Sequence, residues 1–140
     1  MSGAIQDDYP DALAHCYGCG KNNPQGLQLK SYPEGEGTVA RFTPRAEHVA
    51  IPGYVYGGLI ASLIDCHGTG TAAWAAAEDG APARFVTGSL EVKYLKPTPH
   101  GPELVLRGSV AERKEKKVVV DVTLEAEGAV TATGRVVALR

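Results

Sequence analysis

The chain has 140 residues, 44% of them apolar and 21% charged, and its 14 basic and 16 acidic side chains leave a formal charge of -2. That is one domain's worth of chain with enough apolar content for a core, so wholesale disorder is excluded. The basic excess of a nucleic-acid binder is missing, and no apolar run reaches the roughly 18 residues of a membrane-spanning helix.

Residues 1–25 read as a polar lead-in, ordered in part at Cys16–Gly20, with a single domain over 26–140. The first 15 residues carry Asp7, Asp8 and Asp11 and no basic residue. A secretory signal starts positive and continues apolar, so none is expected and the cytoplasm is the expected compartment. Cys16 and Cys19 form C-x-x-C, and Cys66 is the third cysteine. An odd, small number argues against a disulfide framework. A structural zinc takes four ligands, and His15, His48, His67 and His100 are scattered rather than paired. A thioredoxin-type pair would open a helix, whereas Lys21-Asn22-Asn23-Pro24 follows here, a turn sequence. The expectation is a structural turn, with no metal.

Residues 26–32 alternate, with Leu27, Leu29 and Ser31 on one face, and residues 38–42 alternate again. Pro33 to Gly37 between them supplies turn chemistry, which predicts a hairpin. Residues 43–56, with Pro44, Pro52 and Gly53, read as a loop. Gly57 to Ala77 is the one long helical candidate: Leu59, Leu63, Cys66 and Gly70 follow helical spacing, with Ile60, Ile64 and His67 alongside. It is apolar around most of its circumference, as a buried helix is. Residues 85–95 alternate Leu90, Val92 and Tyr94 against Glu91 and Lys93. Strand patterns recur over 103–112, 117–126 and 129–139. The order β-β-α-β-β-β-β predicts an α+β fold in which an antiparallel sheet of about six strands wraps one long helix.

Asp65 stands in the middle of that helix with no basic residue near it. A buried unpaired carboxylate is costly. Either it caps a neighbouring backbone segment or it is a catalytic group, since perturbed carboxylates gather at active sites. The helix start bears on the choice. Tyr56-Gly57-Gly58 leaves the first N–H groups unshielded, and these have no partner inside the helix. They favour an anion, and glycine lets a carbonyl approach. A carboxylate together with such donors suits acyl transfer. Eight residues of helix is about 12 Å, too far for Gly57 and Asp65 of one chain to share one carbonyl. Two antiparallel copies of the helix across a dimer would bring them together.

The run Gly53-Tyr54-Val55-Tyr56-Gly57-Gly58 to Asp65 resembles the signature of hotdog-fold acyl-CoA thioesterases of the phenylacetate-pathway and thioesterase-superfamily branch, roughly G-x-x-H-G-G-x-x-x-x-x-x-D. Cys16-Tyr17-Gly18-Cys19-Gly20 through Asn23-Pro24-Gln25-Gly26-Leu27 and Tyr94-Leu95-Lys96-Pro97 resemble further stretches of that family. The resemblance implies a long helix wrapped by an antiparallel sheet, a homodimer or homotetramer, an acyl-CoA substrate and no cofactor. It gives Asp65 the role of catalytic carboxylate, attacking the thioester or activating water. Gly57 becomes the donor to the carbonyl, and Thr87 a hydroxyl that orients the water or the carboxylate. A plain strand threonine is the competing reading of Thr87. Tyr56 stands where the family has histidine.

Gly58 and Tyr56 would contact substrate, His48 could help place it, and Lys96 and Arg113 could meet the phosphates of coenzyme A. The charged turn 113–117 reads equally as a solvated hairpin. Leu59, Leu63, Tyr54 and Trp74 are candidates to line the acyl pocket. Two other functions compete: a non-catalytic acyl-CoA binder, and a hotdog-fold dehydratase or hydratase. The latter needs a helix glutamate where Ser62 stands.

Overall fold

The structure, a computed structural model, describes residues 3–140. Six strands and one α-helix follow two 3-10 turns, Ile5–Asp8 and Asp11–Leu13. The strands are β1 (Ser31–Glu34), β2 (Gly37–Phe42), β3 (Val86–Tyr94), β4 (Leu104–Arg113), β5 (Lys117–Ala126) and β6 (Ala129–Leu139). The helix α1 spans Gly57–Ala75. All neighbouring strands are antiparallel, in the order β1-β2-β4-β5-β6-β3. This is the α+β hotdog arrangement expected, with the long helix held against one face of the sheet.

The helix buries Leu59, Ile60, Leu63 and Ile64 against Leu104, Leu106, Val120, Val122, Leu124 and Val136. Each fully buried branched aliphatic contributes roughly 1.5–3 kcal/mol. Two glycines set how closely helix and sheet approach. A Cβ on Gly68 would lie 2.4 Å from Val136 Cγ2, and one on Gly134 would lie 2.4 Å from Ile64 Cγ2.

The hairpin forms, but its first strand starts at Ser31 rather than Gly26. Gln28 adopts φ +53, which no strand residue can hold. Leu27, Leu29 and Ser31 are still buried together. The helix ends at Ala75, two residues before Ala77, and Glu78 and Ala81 close a turn behind it. The lead-in, whose first two residues lie outside the described ones, buries Ile5, Gln6, Tyr9 and Ala14.

The alternation of residues 85–95 does not translate into a buried face. β3 is an edge strand, and apart from the half-buried Val92 all its residues are exposed. Val86, Leu90 and Tyr94 are 67%, 37% and 53% exposed.

A buried polar network crosses from α1 to the first hairpin. His67 Nδ1 lies 2.8 Å from Ser31 Oγ, and His67 Nε2 lies 3.0 Å from Thr38 Oγ1. Gln6 bonds both the Ser31 hydroxyl and the Ser31 N–H, and Thr71 bonds Thr38. Every ring nitrogen is therefore satisfied, which makes a fully buried imidazole tolerable.

Candidate active site

Asp65 is half-buried near the middle of α1. Thr87 Oγ1 donates a hydrogen bond to Asp65 Oδ1 at 2.6 Å. A backbone irregularity makes that contact. Thr87 pairs with Ala138 and Ser89 with Val137, so Gly88 is the extra residue of a bulge. Strict alternation would put Thr87 on the outer face with Glu91 and Lys93. The bulge turns it to the helix side, with Leu90, opposite the buried Ala138 and Val136. A Cβ on Gly88 would lie 2.6 Å from Leu139 Cδ1, so glycine fits the extra position best.

The helix start is held from three sides. Tyr56 N donates to His48 O at 3.2 Å, Val55 N to Thr98 O at 2.9 Å, and His100 N to Gly53 O at 2.9 Å. Tyr94 Oη donates to Gly57 O at 2.8 Å. Tyr56 precedes the helix with φ -60 and ψ 129 and makes no side-chain cap bond. Leu59 N and Ile60 N donate to Tyr56 O at 3.1 and 3.3 Å, which leaves the Gly57 and Gly58 N–H groups without an intrahelical acceptor. The Tyr56 ring lies over Gly58, where a Cβ would be 2.5 Å from ring Cε2.

Two clefts flank this helix start. One, of about 420 Å³, is lined by Tyr54, Gly57, Ile60, Tyr94, Lys96 and Thr98 among others. The second, of about 460 Å³, includes Tyr17, Leu27, His48, Tyr56, Gly58 and Ser62. His48 Nδ1 accepts from Arg45 N at 2.9 Å, and burial, then the Arg45 charge, hold its imidazole below the usual histidine range. Burial, then Tyr56, raises the Tyr94 phenol, so it stays a neutral donor. Ser62 Oγ donates to Gly58 O at 2.9 Å.

The structure therefore gathers Gly57 with Lys96, His48 with Tyr56 and Gly58, and Asp65 with Thr87. Within one chain it does not unite these groups: Gly57 and Asp65 are about 12 Å apart along the helix. Arg113 lies at the far end of α1, in a cleft with Ala76, Glu78 and Arg140. That end is roughly 28 Å from Gly57 at 1.5 Å per residue. Trp74 is at that end too, in a pocket of about 90 Å³ with Ile5, Pro33 and Pro82. Arg107 and Arg135 are occupied by surface ion pairs with Glu34 at 2.6 Å and Asp121 at 2.7 Å.

The sequence reading missed the Tyr94 hydroxyl on Gly57, for which an alternating strand pattern carries no signal. It also missed what happens to Cys66. Cys66 packs against the Cys16–Cys19 turn, with 3.8 Å between Cys16 Sγ and Cys66 Sγ. All three thiols are free. Hydrogen bonds from the Cys19 and Cys66 thiols, then from the N–H groups of Cys19 and Gly18, hold the Cys16 thiol far below its ordinary value. In return Cys19 is pushed up to about 12 and Cys66 well above the usual thiol range.

The thioesterase superfamily model matches residues 52–138, which include the helix, β3 to β5 and all but the last residue of β6. The chain belongs to the thioesterase superfamily. A thioesterase superfamily protein from Shewanella loihica PV-4 is 50% identical over 94% of this chain and 98% of its own, with a TM-score of 0.75. The PaaI protein from the phenylacetic acid degradation operon of E. coli shares the fold at 17% identity, over 81% of this chain and 80% of its own, with a TM-score of 0.69. A Streptococcus mutans structure with bound acetyl CoA shares it at 18% identity, over 79% of this chain and 86% of its own, with a TM-score of 0.66. No curated protein matches the chain. Among the described residues of this superfamily member, no helix is long and apolar enough to cross a membrane.

Proposed function

We propose that this superfamily member hydrolyses acyl-CoA thioesters in the cytoplasm, as a homodimer or a homotetramer built from such dimers, with Asp65 as the catalytic carboxylate. The observation that carries the reading is the bond from Thr87 to Asp65 Oδ1. It fixes the only carboxylate of α1 and leaves Oδ2 for water or the thioester carbon. The carbonyl oxygen sits on the Gly57 N–H at the start of the second copy's helix, where Gly58 and Tyr56 frame it. As the carbonyl turns tetrahedral, the charge that develops on its oxygen falls on that donor. The thiolate of coenzyme A leaves without a strong general acid. Lys96, exposed in the cleft beside Gly57, meets a coenzyme A phosphate. The family bond with the Shewanella protein and the acetyl CoA held by the Streptococcus mutans fold relative support the substrate class.

Self-association is supported by β3. It offers one unpaired edge and three exposed apolar side chains, Val86, Leu90 and Tyr94, beside Thr87. A dehydratase is disfavoured by the second cleft, where the helix position beside His48 is Ser62, its hydroxyl already given to Gly58.

The test is thiol release from short, medium, long and aryl acyl-CoAs, wild type beside Asp65→Asn. Release with at least one acyl class is expected, falling about a hundredfold to ten-thousandfold in the variant. Wild-type release that Asp65→Asn leaves intact would remove Asp65 from its role. Tight acyl-CoA retention with no release would leave a binding protein.

A further inference from the structure

The three cysteines come from two parts of the chain that meet only in the fold. Cys16 and Cys19 lie on the turn that precedes the domain, and Cys66 lies on α1 directly after Asp65. Their Sγ atoms all fall within 4.8 Å of one another. A zinc ion bound to thiolates at about 2.3 Å separates its sulfurs by about 3.8 Å when tetrahedral. The Cys16–Cys66 pair is 3.8 Å apart as it stands.

The backbone is shaped around the sulfurs. Gly18 must be glycine, because a Cβ there would lie 2.3 Å from Cys66 Sγ. Gly20 N donates to Cys16 O at 2.7 Å and closes the turn, and Leu27 N and Leu29 N bond Tyr17 O and Gly18 O from the other side.

The surroundings match a charged group rather than three packed thiols. Three thiolates and one divalent cation leave one negative charge. Arg84 supplies a positive charge close by: its Cζ is 4.6 Å from the centre of the Tyr9 ring, and its charge acts on Cys19. Tyr9 is 3% exposed, and its hydroxyl is the buried side-chain polar atom left without a partner among the described residues. It lies within electrostatic reach of all three cysteines. A buried hydroxyl without a partner is costly unless something bonds it.

We propose that Cys16, Cys19 and Cys66 bind one thiophilic divalent ion, Zn²⁺, with a fourth coordination position left for water or another small ligand. The ion ties the N-terminal turn to the helix that carries Asp65. Binding releases the thiol protons of the three cysteines to solvent and involves no oxidation or reduction.

The full chain, reduced and stripped with a chelator, is titrated with Zn²⁺ against a chromogenic chelator, and separately with Cd²⁺, whose thiolate charge-transfer absorption counts bound sulfurs. One equivalent per chain and an absorption for three thiolates are expected. Cys16→Ser and Cys19→Ser should each weaken binding at least tenfold, and His15→Ala should not. Cys66 is buried on the helix, so Cys66→Ala is included only if its circular dichroism matches wild type. Failure of the reduced wild type to take up either ion overturns the proposal without any variant. So does uptake that survives the Cys16→Ser/Cys19→Ser double change, or a charge-transfer absorption for fewer than three thiolates.

Discussion

At the scale of single residues, the Thr87–Asp65 bond and the buried His67 each make a prediction with a sign. In the proposed mechanism Thr87 acts through Asp65, as a positioning residue. Thr87→Val removes a hydrogen bond to a charged acceptor, worth about 1.5–3 kcal/mol, so kcat should fall about tenfold to a hundredfold with KM little changed. Thr87→Ser keeps the hydroxyl and should recover most of that loss. A loss in Thr87→Ser with Thr87→Val close to wild type would mean that the methyl group's packing, not the hydroxyl, is what matters. For His67, burial pushes the imidazole down to about 4. In the unfolded chain it titrates near 6.5, so the unfolded state holds the extra proton between those values. The resulting stability is complete above about pH 6.5 and is lost as the pH falls toward about 4, up to about 3 kcal/mol. Urea unfolding along that range should show it. His67→Gln, which keeps donor and acceptor but cannot titrate, should flatten the slope relative to wild type. An unchanged slope would place the acid sensitivity in other groups.

At the scale of elements, the contact between α1 and β6 is set by Gly68 against Val136. Gly68→Ala gains about 1 kcal/mol of helix propensity but forces a Cβ into a β-branched side chain with little freedom to move. Overpacking of this kind costs about 1–3 kcal/mol, so a net loss is expected in urea unfolding. Val136→Ala in the same chain should return part of it, and strictly additive effects would show that the two positions do not share the contact. Most elements were legible beforehand because each carries its own period. Residues 117–126 are a run rich in valine between the charged turn and Gly128, so Lys117–Ala126 was readable end to end, and the apolar helix announced itself by length. What the pattern could not carry was anything set by a distant neighbour. Gln28 in a left-handed conformation delays β1, although the alternation runs through it. The period of β3 marks a strand but not its place at the sheet edge, where Val86, Leu90 and Tyr94 remain exposed. Asp65, Gly57 and Thr87 were nameable from residue type and resemblance. The bulge at Gly88 that turns Thr87 toward Asp65, and the meeting of Cys66 with a pair some 50 residues earlier, depend on sheet register and tertiary packing.

At the scale of the whole molecule, the question is whether one chain is enough. The carboxylate and the helix start of one chain stand about 12 Å apart on a rigid rod, so a single protomer cannot bring both to one carbonyl. A dimer that joins Gly57 of one copy to Asp65 of the other can, and this makes a quantitative prediction. Gly57→Pro removes the N–H that would hold the oxyanion. It should leave the helix intact, because proline is favoured at the first helical position and Tyr56 already has the extended conformation that a following proline requires. A Cβ at Gly57 would meet Tyr94 at an ordinary 3.6 Å. Homodimers of Gly57→Pro and of Asp65→Asn should both be nearly inactive. Refolding equal amounts together makes half of the dimers mixed. Each mixed dimer holds one site with both groups intact and one with both lost, so activity should return to about a quarter of wild type. Native mass spectrometry of the mixture gives the mixed fraction directly. Mixed dimers that form in the expected proportion yet stay inactive would mean that each site is built within one chain, and the assignment of the Gly57 N–H to the carbonyl would fall with it.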